Sequence, residues 1–445
     1  MIRGLLVAFL LAVIASSGVV FAAEMSAPLA TMSGVADDEL SALLDGGVTL
    51  RAVSGSLLNE SSAEAFIVQD AEVEYDLIAA AGLLADVSIN VSEGQVIELV
   101  ANPAFIPQPL PGFGAVYGEV WAIAVDDDGQ ATLEAGAVDS AGRWIGVRNR
   151  YFTALLSGIE GGQVEVFVDA ENQPRVTITP EPGQQTVFFK LYAGPVEQQS
   201  LVAADPVLTK MLFAALWDFL RWLCFGMLWL LTTIHGVVGN IGLSIILLSV
   251  AVKILMSPLT KAADRLQASV NTTAALLQPE LADIKRNFKG EEAHNMVLAV
   301  YKKHGVHPLY TMKSLAGFLL QIPIFIAAFD MLGENYALYQ ASFLWIDDLS
   351  KPDQWLPLLI NVPFFGGYLN LLPCLMTFFT LLTSWLQRDE TLTEDLARSQ
   401  QNRLFWMAGA FFLLFYTFPA GMVLYWTTNN VLALGRESFA RIRGA

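Results

Sequence analysis

Ser249 and Lys253 lie one helical turn apart in "SVAVKILMSPLTKAADRLQ", inside an otherwise oily run. "GNIGLSIILLSVAV" precedes the lysine, and the next charge after it is Lys261. A cation at the centre of a membrane-spanning helix costs about 2.5–3.5 kcal/mol on insertion scales, so its presence asks for a use. Three chemistries fit the pair. The lysine can snorkel to the aqueous interface along its aliphatic stem. It can act as the base of a Ser/Lys hydrolytic dyad, because burial lowers a lysine's proton affinity; that reading wants an oxyanion hole, and no glycine-rich turn adjoins Ser249. It can line a water-filled recess among helices. The third is the preferred reading, because other apolar segments offer Gln321, Thr377, Thr380, Thr383, Thr427, Thr428, Asn429 and Asn430 as further lining. Each of these alone reads as a helix–helix hydrogen-bond contact.

Other chemistries find little support. There is no HExxH, no P-loop and no Rossmann glycine pattern. His304 and His307 stand beside a glycine and a proline and do not suggest a metal site. Cys224 and Cys374 both fall in apolar segments, so no disulfide framework is expected. No metal and no cofactor is expected.

The elements that must hold Lys253 follow from composition. The 445 residues are 54% hydrophobic and 15% charged, which is apolar for a soluble protein. Charge is unevenly spread: residues 24–210 carry 27 acids against 7 bases, and the rest of the chain carries 16 against 18. The net charge of −18 therefore belongs to one acidic block, which makes a specific nucleic-acid partner unexpected. Within that block "VIELV", "QVEVFV", "RVTIT" and "TVFFKLY" alternate with Gly, Asp, Asn and Pro clusters, the pattern of an antiparallel β-sandwich; "DDELSALL" reads as a short helix. Residues 1–23 read either as a cleaved signal peptide or as a first transmembrane helix, and either would export the block.

Residues 211–238 hold Asp218 and Arg221, which leaves only a short uncharged stretch after them. An interfacial amphipathic helix anchored by Trp217, Trp222 and Trp229 is expected, with a full span as the alternative. The core, 239–445, is read as spans at 241–258, 314–332, 369–387, 403–418 and 419–435. Eight bases between 259 and 313, and three in the tail, fall on one side of that layout, while 333–368 has only Lys351. Basic loops mark the cytoplasmic side, and a further span before residue 241 would invert every one of them. Within 259–313, Leu277, Leu281, Ile284 and Phe288 form one helical stripe and Met296, Val297, Val300 and Tyr301 a second, with Gly290 between. Two such stripes predict a cytoplasmic antiparallel hairpin; a solvated charged connector is the alternative. Lys253 then sits about 18 Å below the outer face and Asp330 about 25 Å above the inner one, about 13 Å apart in depth, so no intramembrane salt bridge is expected.

Seven segments, "GNIGLSIILLSVAVKILMSPLTKAADR", "LQPELADIK", "VYKKHGVHPL", "LLQIPIFIAAF", "FLWIDDLS", "NLLPCLMTFFTLL" and "FPAGMVLYWTTNN", occur in an order that resembles the YidC membrane protein insertases of the Oxa/YidC/Alb superfamily. The likeness covers about 217–437 and extends weakly to "WIGVRNRYF" and "YAGPVEQQSL". It implies a non-enzymatic, polytopic α-helical protein of the bacterial inner membrane. Its five-helix core bundle would enclose a hydrophilic groove and carry a cytoplasmic hairpin. An exported β-sandwich would face the periplasm, and the C-terminus the cytoplasm. By that resemblance Lys253 is the groove's basic residue, with Ser249, Gln321, Trp426 and Thr380 around it. Nascent integral membrane proteins, the ribosome, the Sec translocon and membrane lipids are the implied partners.

Three departures from the family imply a divergent paralogue. Lysine replaces the usual arginine at 253, His307-Pro308-Leu309-Tyr310-Thr311 replaces the usual Asn-Pro-Leu-Gly-Gly, and the acidic block is shorter than expected. Arginine stays charged and grips a carboxylate bidentately, which a buried lysine does not do. An envelope scaffold with a vestigial groove and a solute transporter are the rival functions.

Overall fold

The computed structural model describes residues 48–54, 73–77, 84–91, 95–101, 107, 109–168, 173–307, 309–310, 312, 315–386 and 394–444. The expected leader at 1–23 and the "DDELSALL" helix lie outside these. The described residues divide into two units, one running from Val48 to Trp217 with Glu334–Tyr339, the other of Asp218–Gly333 with Gln340 to Gly444.

The first unit is built of antiparallel strands. β1 (Val48–Ser54), β4 (Gln95–Ala101), β11 (Pro174–Pro180), β10 (Gly162–Val168) and β7 (Gly136–Val138) form a five-stranded sheet in that order. A seven-stranded sheet runs β2 (Val73–Leu77), β3 (Leu84–Asn90), β12 (Thr186–Pro195), β9 (Phe152–Glu160), β8 (Trp144–Arg148), β5 (Trp121–Asp126), β6 (Gly129–Thr132). Alternation decides which way side chains point: along β12, Val187, Phe189 and Leu191 are buried while Phe188 and Lys190 are exposed. Ile97, Leu99, Val176 and Ile178 of one sheet meet Ile145, Val147, Leu156 and Val187 of the other in a single core. The four valine-rich runs read as strands from the sequence all fall in strands here, in β4, β10, β11 and β12.

A short helix, α1 (Gln198–Ala204), follows β12. The unit also takes in Glu334–Tyr339, over a hundred residues further on. Buried Arg148 donates to the Glu334 carboxylate at 3.0 Å and to the Met211 carbonyl at 2.9 Å. Tyr336 and Tyr339 set their rings edge-on against Phe152.

The second unit is helical: α2 (Asp218–Val238), α3 (Ile241–Asn287), α4 (Gly290–Lys303), α5 (Leu315–Glu334, its last residue in the first unit), α6 (Leu371–Leu386), α7 (Glu394–Phe415) and α8 (Ala420–Gly444). A hairpin of β13 (Leu356–Val362) and β14 (Gly366–Leu369) precedes α6. Several expectations need correction. Residues 211–217 are not part of a long helix: Met211 ends a tight 3-10 turn and the helix starts at Asp218. At 21 residues α2 is about 31 Å long, and its length and composition suffice to cross a membrane. The span read at 241–258 and the first half of the hairpin lie on one helix. α3 runs unbroken through Pro258 and Pro279 for 47 residues, about 70 Å, more than twice a hydrocarbon core. Each proline removes one backbone hydrogen bond from a ladder that the remaining residues maintain. The spans expected at 403–418 and 419–435 lie in longer helices that break around Pro419.

Helix ends are held by named side chains. Asn240 caps α3, its Oδ1 accepting from Leu243 N at 2.9 Å. Asp353, buried, accepts from Leu371 N and Leu372 N at the start of α6 and from the Trp345 indole. Burial pushes its carboxyl above the usual aspartate range, against the opposing pull of those donors.

Candidate functional site

Lys253 lies about three turns into α3, half-buried, with exposed Ile254 and Leu255 beside it. Among the described residues it forms no ion pair and no hydrogen bond. The charges near enough to act on it are Arg436 of α8 and Asp264 of α3, which pair with each other at 3.3 Å. Ser249 is fully buried on the same helix, and its hydroxyl has no hydrogen-bond partner among the described residues. No hydrogen bond joins it to Lys253, so the dyad geometry is not formed.

The other expected groove residues are placed differently from one another. Thr380 sits in a seam between α6 and α8. Its hydroxyl donates back to Met376 O at 2.8 Å and accepts from Asn430 Nδ2 at 2.8 Å, and Asn430 also reaches Met376 O. That is the helix–helix role which a lone threonine suggests. Trp426 belongs to an aromatic cluster: its ring centroid is 4.9 Å from Phe325 and 5.7 Å from both Phe411 and Phe415. A shallow concavity there is lined by Phe325, Ala328, Leu332, Phe415, Met422 and Trp426, all apolar or aromatic. Gln321 is exposed on α5. No hydrogen bond or ring contact among the described residues links Lys253, Ser249, Gln321, Trp426 and Thr380 to one another.

The hairpin residues, by contrast, come together. Leu277 and Ile284 of α3 are buried with Val300 of α4, and Leu281, Phe288, Val297 and Tyr301 pack round them. Two details differ from the stripe pattern. Met296 is exposed and Ala293 takes a place in the cluster. Phe288 caps α3 in an extended conformation, although its ring still packs inward. Gly290 makes the turn at φ +67°, a conformation that disfavours any side chain.

An ion cluster not anticipated from the sequence pins the open end of the hairpin. Glu280 Oε1 lies 3.0 Å from Lys303 Nζ and 2.8 Å from His304 Nε2. The hydrogen bond from His304, then that from Lys303, holds the Glu280 carboxyl below the usual glutamate range. No spacing rule brings residues 23 and 24 apart into contact. Only the antiparallel turn does so, while Asp264 and Arg436 meet because α3 lies beside α8.

The fold thus combines a β-sheet unit with a helical unit, two of whose helices are long and apolar enough to cross a membrane and one of which folds back as a hairpin. Residues 233–443 match the family described as the 60Kd inner membrane protein. It is 35% identical over 263 residues to the membrane protein insertase YidC of Shewanella loihica, covering 58% of this chain and 43% of that one. The YidC insertase of Syntrophobacter fumaroxidans is 31% identical over 307 residues, covering 66% of this chain and 52% of that one. The chain thus spans about half the length of the curated relatives it matches, or less. A crystal structure titled as an active YidC insertase with the first transmembrane domain resolved aligns with TM-score 0.37 and 20% identity, over 79% of this chain and 75% of that one.

Proposed function

We propose that this protein is a membrane protein insertase that also helps its clients fold in the inner membrane. The observation that carries the reading is Lys253, half-buried on an apolar helix and making no ion pair among the described residues, the nearby Asp264 being paired with Arg436. A cation kept there at a cost of about 2.5–3.5 kcal/mol is of use if water reaches it and if something anionic visits it. A polar segment crossing a ~30 Å hydrocarbon core meets a shorter barrier where such a hydrated dent exists. The client's own apolar helix then drives its release into lipid, and no covalent step is needed.

In this reading Lys253, Ser249, Gln321, Trp426 and Thr380 border a groove within a five-helix bundle of α3, α5, α6, α7 and α8. The α3–α4 hairpin, closed by Leu277, Leu281, Ile284, Phe288 and Tyr301, receives clients on the cytoplasmic side. The β unit is a periplasmic sandwich, α2 lies in the outer interface with Trp222 and Trp229 exposed, and the C-terminus is cytoplasmic. Nascent integral membrane proteins are the clients, delivered by the ribosome alone or with the Sec translocon, in contact with membrane lipids. The names of the relatives and the placing of the basic loops support this assignment.

The test is insertion of a reporter client with an acidic polar tail in cells depleted of the native protein. Lys253→Ala is expected to lower insertion severalfold while Lys253→Arg preserves it. If Lys253→Ala inserts the client at the full rate, while removal of residues 48–210 abolishes the phenotype, a scaffold function replaces the insertase.

A further inference from the structure

We infer that the β13–β14 hairpin is a membrane-interface anchor, whose apolar bulge sits among the lipid headgroups and upper acyl chains at the α6 N-terminal end. The inference rests on reading α6 as a span, and goes beyond the insertase assignment.

Pairing in the hairpin is incomplete. Pro357 pairs with Tyr368 and Val362 with Gly366, so the four residues Leu358–Asn361 face the single residue Gly367 and bulge out of the ladder. The bulge presents Leu358, Leu359 and Ile360, with Leu359 fully exposed and Ile360 71% exposed. A strand half-covered by protein alternates inward and outward side chains, whereas β13 exposes six consecutive residues. A protein partner would cover one face; lipid covers both.

Depth is set by what holds the base. Gln354 N donates to Asn370 Oδ1, and Asp353 caps the first turn of α6. The Tyr416 hydroxyl, one residue past the end of α7, donates to Tyr368 O, and the Phe365 ring meets the Tyr416 ring edge-on at 5.0 Å. The hairpin is therefore fastened to the α6 start and the α7 end, two helix termini on the same side. Only Asn370 separates β14 from α6.

Length gives the second argument. From Gln354 to Gln387 the chain has 34 residues without a charge. The helix within that run, Leu371–Leu386, reaches about 24 Å, short of a ~30 Å core. The apolar hairpin makes up the remainder. It cannot lie deeper, because the bulge leaves backbone N–H and C=O groups unpaired, and these need water or headgroups. Trp355 and Tyr368, both partly exposed at the base, are the residue types that prefer that level.

The experiment uses the full chain in vesicles of phosphatidylethanolamine and phosphatidylglycerol doped with a photoactivatable phospholipid, its carbene precursor near the glycerol or at the acyl terminus. Labelled peptides are then mapped. The expected result is labelling of 355–369 that is stronger with the glycerol-proximal probe, alongside labelling of α6 at Phe378 and Trp385. The variant Leu359→Asp/Ile360→Asp should drop hairpin labelling to background and leave α6 labelling unchanged. Labelled α6 with an unlabelled hairpin overturns the inference and leaves the span intact. Absence of label from both removes the span reading and the inference with it. A hairpin crosslinked to a second copy of the chain instead of to lipid also overturns it.

Discussion

A half-buried cation and a polar seam between helices are the residues that give the helical unit its chemistry. Asn430 is the hub of the seam, donating to both Thr380 Oγ1 and Met376 O. Interhelical hydrogen bonds of this kind average about 0.6 kcal/mol in membrane proteins. Asn430→Ala and Thr380→Val should each lower thermal stability in detergent, and a double-mutant cycle should return a coupling of about that size. Glu280 gives a pH dependence. Its carboxyl is held below the ordinary glutamate range when the hairpin is closed, so closure is favoured by the full amount above that range. The gain is lost as pH falls through the lowered folded value. The protection factors of α4 amides, which correct for the intrinsic slowing of exchange in acid, should accordingly fall as pH drops below the ordinary glutamate range. Glu280→Gln should remove the pH dependence. Lys253, Ser249 and Gln321 were legible as polar intrusions in apolar runs. The partners of Glu280 and Asp264 were not, because those contacts join residues with no local spacing relation.

At the scale of elements, close approach decides what a helix terminus tolerates. A Cβ on Gly242, at the start of α3, would stand 2.2 Å from Phe343 Cγ and 2.7 Å from Phe343 Cβ. The clash falls on the root of the ring and not on a mobile tip, so it cannot be relieved by a rotamer change alone. Gly242→Ala is expected to destabilise the helical unit by about 1–3 kcal/mol, read as a lower melting temperature in detergent. The two-stripe hairpin was visible in sequence because apolar residues recur at helical spacing on both sides of Gly290. The continuity of α3 through Pro258 was not, since proline signals a break and only the surrounding ladder overrides it. The β13–β14 hairpin was also missed: it falls within the 333–368 loop, where "LPLLINV" shows no polar–apolar alternation to mark a strand.

For the whole molecule, neighbours in space are far apart in sequence. β12 lies between β3 and β9, β11 lies beside β4, and Glu334–Tyr339, the last residue of α5 and the five that follow, joins the β unit. Glu334 supplies the carboxylate for Arg148, whose side chain is 5% exposed. Removing it leaves a buried guanidinium short of an acceptor, a loss of about 1.5–3 kcal/mol for a hydrogen bond to a charged group. Glu334→Ala should therefore lower the denaturant midpoint of the β unit within the full chain, and Glu334→Gln should recover part of the loss. The same reasoning predicts that the 19–217 segment expressed alone is less stable than in the intact chain.

Composition and periodicity by themselves determined the division into an acidic strand-rich block and an apolar helical core, the hairpin stripes, and the odd placement of Lys253. These are local or statistical properties, written in the order of residues. Tertiary structure alone decided the strand order, the α3 continuity, the Asn430–Thr380 seam, the Glu280 cluster and the Arg148–Glu334 pair. Each of those depends on which distant backbones meet, and packing, not sequence spacing, selects that.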